Sequence, residues 1–205
     1  MAFLTAQDRT RIEAAVAAAE RQTSGEFVTV IAARADDYRH VPILAAAALA
    51  FLLSGLWLLL PVDFTHVEFY AGQVVLFIGA AALLHWQPVR MALVPKAEKV
   101  LRARRLAHEQ FLELGLSSTQ DRTGVMLFVA VAEHYVEILA DRGVHARVGT
   151  DVWERIIADF TRTIRSGHVA DGFVQAIEAC AGAMAGPCPG RAADRNELPN
   201  RLVEL

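Results

Sequence analysis

Four charged side chains have the types and positions to do chemistry together: Glu26, Arg122, Asp141 and Arg142. Glu26 opens an apolar run, EFVTVIAA at 26–33, and Arg122 stands just before a second one beginning at Gly124. Asp141 and Arg142 follow a third run, VEILA at 136–140. If the first two runs are neighbouring parallel strands and the third returns antiparallel, all four side chains converge on one rim of a sheet. Gly143 then allows a tight turn there. Two carboxylates, Glu26 and Asp141, could hold a hard divalent cation such as calcium. Two guanidiniums could hold a phosphate or carboxylate bidentately. The same four residues equally suit a structural ion-pair network that fixes the turns, and the sequence leaves both readings open.

No other group competes strongly. The chain has no Walker A loop, GxSxG elbow, HExxH helix or DxDxDG calcium loop. Asp36 and Asp37 read as solvated charges in a linker, and His134 and His145 flank the third run without meeting. His40 and His85 fall at the ends of long apolar segments, where interfacial placement accounts for them. Cys180 and Cys188 are too few for a disulfide framework and match no CxxC pattern, so they read as reduced thiols. A net charge of −3 and a pI near 6.2 give no overall positive field to attract nucleic acid.

The rim needs strands and helices to build it. Residues 5–22 read as a helix, with Thr5 and Asp8 in capping-box spacing and Ile12, Val16 and Ala19 as its apolar stripe. The run at 26–33 is apolar on both faces, as a central buried strand is. Residues 95–114 read as a helix with Val100, Ala103, Ala107, Phe111 and Leu114 inward. The run from Gly124 is a second strand buried on both faces, and 136–140 is its hairpin partner with one face partly exposed. Thr150 caps a helix over 151–165 with Val152, Ile156, Phe160 and Ile164 inward. A last helix over 169–185 presents Phe173, Ala176, Ile177, Cys180 and Met184. The fold class is α/β: a small central sheet flanked by helices.

Between the first two strands the composition changes. Hydrophobic residues make up 54% of the 205-residue chain, and the mean hydropathy of +0.31 is concentrated at 41–86. Residues 41–60 carry no charge, enough at 1.5 Å per residue to span a hydrocarbon core of about 30 Å. Residues 67–86 form a second apolar segment, with small residues suited to packing on the alanines at 45–50. The expected organisation is a first half-domain at 1–40, transmembrane helices at 41–60 and 67–86 joined by a loop at 61–66, a second half-domain at 88–187, and a loosely ordered tail at 188–205. The N-terminus lacks the pattern of a cleavable signal peptide. The loop carries no Lys or Arg, whereas Arg90, Lys96, Lys99, Arg102, Arg104 and Arg105 follow the second segment. The positive-inside rule therefore puts both termini in the cytoplasm of a multi-pass membrane protein.

The strings TSGEFVTV at 23–30, DRTGVMLFVAVAEHYVEILADRG at 121–143, the helix start at 153–157, IRSGHVADGFVQAI at 164–177 and NELPN at 196–200 together resemble the TPM domain family, in its bacterial membrane-protein branch. The resemblance implies a compact α/β fold. It also brings in acid phosphatases of the plant thylakoid lumen, and members that bind calcium, assist photosystem repair or modulate receptors. This sequence departs from those members by its inserted hairpin and its cytoplasmic orientation. The expected function is a membrane-anchored interaction, assembly or regulatory module with the lipid bilayer and a protein as partners. The alternative is a metal-dependent phosphatase-type hydrolase.

Overall fold

A computed structural model of the chain describes residues 4–57, 65–190 and 197–205. The elements in chain order are α1 (Ala6–Glu20), β1 (Glu26–Ala32), α2 (His40–Trp57), α3 (His66–Leu84), α4 (Gln87–Leu93), α5 (Lys96–Glu113), β2 (Gly124–Ala130), β3 (Tyr135–Ala140), α6 (Arg142–His145), α7 (Thr150–Arg165), α8 (Val169–Ala185) and β4 (Leu202–Glu204), with one 3₁₀ turn at Leu116–Ser118. They form two compact units, one of residues 1–35 and 102–205 and the other of residues 36–101.

The larger unit is a four-stranded mixed sheet in the order β3-β2-β1-β4. β1 and β2 run parallel with Glu26 opposite Gly124, and β3 returns antiparallel with Ala140 opposite Val125. All seven residues of β1 and all seven of β2 are buried, as expected of strands covered on both faces. One face carries Phe27, Ile31, Val125, Leu127 and Val129 into a core closed by α1, α7 and α8. The other carries Val28, Val30, Met126 and Phe128 against Ala103 and Ala107 of α5. Alternation thus divides each apolar strand between two cores, and burying one phenylalanine such as Phe128 is worth about 1.5–3 kcal/mol.

The helices start where the sequence indicates. Thr5 and Asp8 form a reciprocal capping box on α1, and α8 turns Phe173, Ala176, Ile177, Cys180 and Met184 into the core. Three details differ. Val100 lies on the outer side of α5, because the inward stripe begins only at Ala103. Gly149, not Thr150, occupies the cap position of α7, and Trp153 joins the buried stripe. The tail expected to be loose is ordered at its end, where β4 pairs in parallel with β1 from Thr29 to Ile31. The physical reason is an open edge: a central strand buried on both faces still needs partners for its backbone on both sides. The adjoining Leu205 and Ala33 extend the pairing through Leu205 N–H to Ile31 O (3.0 Å) and Ala33 N–H to Leu205 O (2.9 Å).

The smaller unit holds two helices long and apolar enough to cross a membrane, α2 and α3. Pro42, Ala46, Ala50 and Ser54 recur every fourth residue as the buried line of α2. Trp57 at the end of α2 meets Phe69 in an edge-to-face contact (6.5 Å between centroids) and covers Gly72, so the two helices pack antiparallel. The remaining surface is apolar and open, with Phe51 73% and Val67 77% exposed. α3 starts at His66, one residue before the expected 67, at a capping box between Thr65 and Glu68, and ends at Leu84, two residues before the expected 86. Positions 58–64, which include the end of the expected first segment and most of the expected 61–66 loop, lie outside the described residues, as does 191–196 of the tail.

Candidate functional site

The rim at the start of β1 and β2 brings together Glu26 and Asp141. Parallel register puts Glu26 beside Gly124, and Asp141 N–H donates to Gly124 O (2.8 Å), so Glu26, Gly124 and Asp141 stand in one row across three strands. Two inter-strand steps of about 4.8 Å separate the backbones of the two acidic residues. All four residues singled out in the sequence lie at this rim, but their side chains take different partners.

Asp141 leaves β3 and caps α6: its Oδ1 accepts from Arg142 N–H at 2.7 Å. Its Oδ2 is buried without a hydrogen-bond donor and lies 3.9 Å from the Arg122 guanidinium, a long ion pair. Arg122 itself is mostly exposed and sits at φ 57°, the left-handed conformation that turns the chain into β2. Gly143 N–H closes the same corner on Arg122 O (3.0 Å). A Cβ at 143 would come within 2.5 Å of that oxygen, so only glycine fits. Arg142 contributes its backbone to this corner and leaves its side chain exposed.

Glu26 turns elsewhere. Its carboxylate is buried and accepts from the backbone N–H groups of Glu197 (3.1 Å) and Leu198 (3.2 Å). Glu197 in turn accepts from Gln120 N–H at 3.2 Å. A second carboxylate joins it from the last turn of α1: Glu20 accepts from Phe27 N–H (3.3 Å) and, in a short contact, from the Asn200 side-chain amide. Burial, aided by the nearby Glu26 charge, pushes the Glu20 carboxyl up to about 7 against the lowering effect of its two donors. The stretch at 197–200 is therefore bracketed by two glutamates, and Arg9 pairs with Glu204 (2.7 Å) beyond it. Sequence reading missed Glu20. Its signal is position, six residues before Glu26 at the end of the helix that leads into β1.

Burial pushes the Cys180 thiol up to about 12, which keeps it protonated and inert. Tyr135 is held protonated by burial and by donating its hydroxyl to Glu137 (2.9 Å). Among the described residues no group of three His, Cys, Asp or Glu is placed to hold a metal ion. The rim as it stands can anchor backbone, cap a helix and pair a surface guanidinium.

Residues 86–183 match the model of the TPM domain. That stretch runs from the end of the apolar hairpin through α8 and leaves out β1 and β4. The BA42 protein from the psychrophilic bacterium Bizionia argentinensis, solved by NMR, shares the fold with a TM-score of 0.62 at 20% identity, over 99% of this chain and 96% of its own. No curated protein matches the chain.

Proposed function

We propose that this chain, which carries a TPM domain at residues 86–183, is anchored in a membrane by α2 and α3 and serves there as an interaction or assembly module. The observation that carries the reading is the outer surface of the hairpin. Large apolar side chains such as Ile43, Phe51, Val67 and Val75 are more than half exposed, whereas a core helix of a soluble protein hides them. The hairpin lies in sequence between the two parallel strands β1 and β2, so one domain is assembled from chain on both sides of its own anchor. Lysines and arginines follow α3 and none occurs at 61–66, which favours cytoplasmic termini in an inner membrane. The carboxylates of the rim support a binding role over catalysis: Glu26 and Glu20 already hold the C-terminal segment, and Asp141 caps α6.

The test has two parts. Carbonate extraction should leave the protein in the membrane fraction, and a reporter at position 63 should be extracytoplasmic with fusions at either terminus cytoplasmic. Release by carbonate would end the anchoring claim. A second reading, a metal-dependent phosphatase-type hydrolase using a divalent cation such as calcium, draws on the buried Asp141 oxygen that lacks a donor and on the nearby Arg122. Metal-dependent phosphomonoesterase activity that disappears in both Glu26→Ala and Asp141→Ala would establish that reading in place of the first.

A further inference from the structure

We infer that Arg90 forms a binding site for the phosphate group of a phospholipid at the foot of the hairpin. Arg90 is the one buried residue of α4, with 7% of its surface exposed. α4 packs on both α2 and α3. The buried residues nearest that end of those helices are apolar, Pro42 and Ala46 on α2 and Leu84 on α3. The guanidinium Nε is buried without a hydrogen-bond acceptor.

The described carboxylates of the smaller unit have other engagements. Asp37 pairs with Arg39 (2.9 Å), Asp36 accepts from Tyr38 N–H (3.1 Å), and Glu68 caps α3 at its opposite end. Glu98 is engaged as well. Arginine does not lose its proton in proteins, so burial cannot neutralise it as it would a lysine. A buried, unpaired guanidinium costs several kcal/mol, and it persists where an anion completes it. A phosphate matches its planar fork of donors, and bidentate pairing is the strongest form of that contact.

Position selects the source of the phosphate. Arg90 follows the exposed Trp86, which sits just past the end of α3 where an indole marks the boundary between hydrocarbon and head groups. The exposed Lys96 begins α5 a few residues later. Anionic lipid phosphates are concentrated at that depth on the cytoplasmic leaflet. The inference rests on the membrane reading given above, and carbonate extraction tests that reading separately.

Full-length protein in dodecyl maltoside would be titrated with phosphatidylglycerol, with diacylglycerol of the same acyl chains, and with inorganic phosphate. Unfolding temperature and intact-complex mass spectrometry would be recorded for each. The expected result is retained phosphatidylglycerol and a raised unfolding temperature, no comparable response to diacylglycerol, and a roughly tenfold or greater loss of apparent affinity in Arg90→Gln. Arg90→Lys, which keeps charge without the fork, should fall between, and the exposed Arg39→Gln should match wild type. A response to inorganic phosphate equal to that for the lipid, and lost in Arg90→Gln, keeps the phosphate site and moves its ligand to the aqueous phase. Equal responses to phosphatidylglycerol and diacylglycerol overturn the inference in the wild-type protein alone, whether or not Arg90→Gln folds. An undiminished phosphatidylglycerol response in a folded Arg90→Gln overturns it as well.

Discussion

Glu26 is the residue on which the catalytic and structural readings of the rim diverge most. Its two carboxylate oxygens accept from the N–H groups of Glu197 and Leu198, a few residues before β4. A hydrogen bond to an ionised group contributes about 1.5–3 kcal/mol, and a buried donor stripped of its acceptor costs about 1–3 kcal/mol. Glu26→Ala removes both acceptors at once, so the docked C-terminal segment should lose about 3 kcal/mol. β4 has three residues and pairs with only one strand, so most of that loss should appear as local opening and not as global unfolding. At 1.4 kcal/mol per factor of ten, the Leu205 amide, which donates to Ile31 O, should exchange with solvent on the order of 100-fold faster. The Asp141 amide, bonded to Gly124 O on the far side of the sheet, should hold its protection. Glu26→Gln keeps one acceptor and points an amide N–H at the other donor, so it should fall between. Unchanged exchange at Leu205 in Glu26→Ala would refute the assignment of Glu26 to the C-terminal segment and free it for cation binding.

The Glu20 carboxyl is raised from its ordinary value to about 7, so the folded state holds its proton where the unfolded chain has lost it. Stability should be greatest below about pH 4.5 with respect to this group and should decline as pH rises to about 7. With the side chain partly exposed, solvent screening limits the loss to about 1–2 kcal/mol. Thermal melts of Glu20→Gln between pH 5 and 8 should show a flatter dependence than wild type, and parallel curves would dismiss the effect. Gly143→Ala places a Cβ 2.5 Å from Arg122 O and should lower stability by about 2 kcal/mol or more. A chemical denaturation midpoint equal to wild type would show that the Asp121–Arg122 turn gives way freely.

The sequence carried the long helices and the first three strands because each has strong periodicity or a cap, but not the short α4 and α6. The capping box at Thr5, the doubly apolar strands at 26–32 and 124–130, and the α8 stripe are all local signals. β4 was not legible from composition, since three residues after a Pro, Asn and charge-rich stretch show no alternation. It was legible from topology. A run apolar on both faces reads as a central strand, and with β2 on one side a further partner was required on the other. The rim position of the four residues depends on parallel pairing of the two buried runs, which the sequence leaves as a condition and the register of β1 and β2 supplies. Their partners were not legible, because hydrogen bonds such as Glu26 to Glu197 span more than 170 positions and join a glutamate to backbone, which side-chain type does not encode. Glu20 escaped for the same reason: its neighbours are Phe27 N–H and Asn200.

The connection between β1 and β2 explains how one sheet tolerates an apolar hairpin within it. Parallel strands cannot be joined by a tight turn, so a crossover of a dozen residues or more must exist in any case. Here it runs over residues 33–123 and contains α2 to α5. Loop entropy grows only as the logarithm of length, and each doubling costs about 0.6 kcal/mol. The hairpin from His40 to Leu84 is about half of that connection, so its presence should burden the sheet by about that amount. Even this is an upper figure, because α2 and α3 pack antiparallel, with Trp57 over Gly72, and bring the chain back toward its point of departure. Replacing residues 39–95 with a flexible linker of about ten residues, with a reach of about 30 Å, should therefore yield a water-soluble domain. Its β1–β2 amides should keep their protection, and its unfolding free energy should differ by about 1 kcal/mol or less from that of the corresponding unit in the full chain. A linker variant that expresses as an unfolded chain would mean that the hairpin organises the sheet, and that β1 and β2 meet only after α2 and α3 have paired.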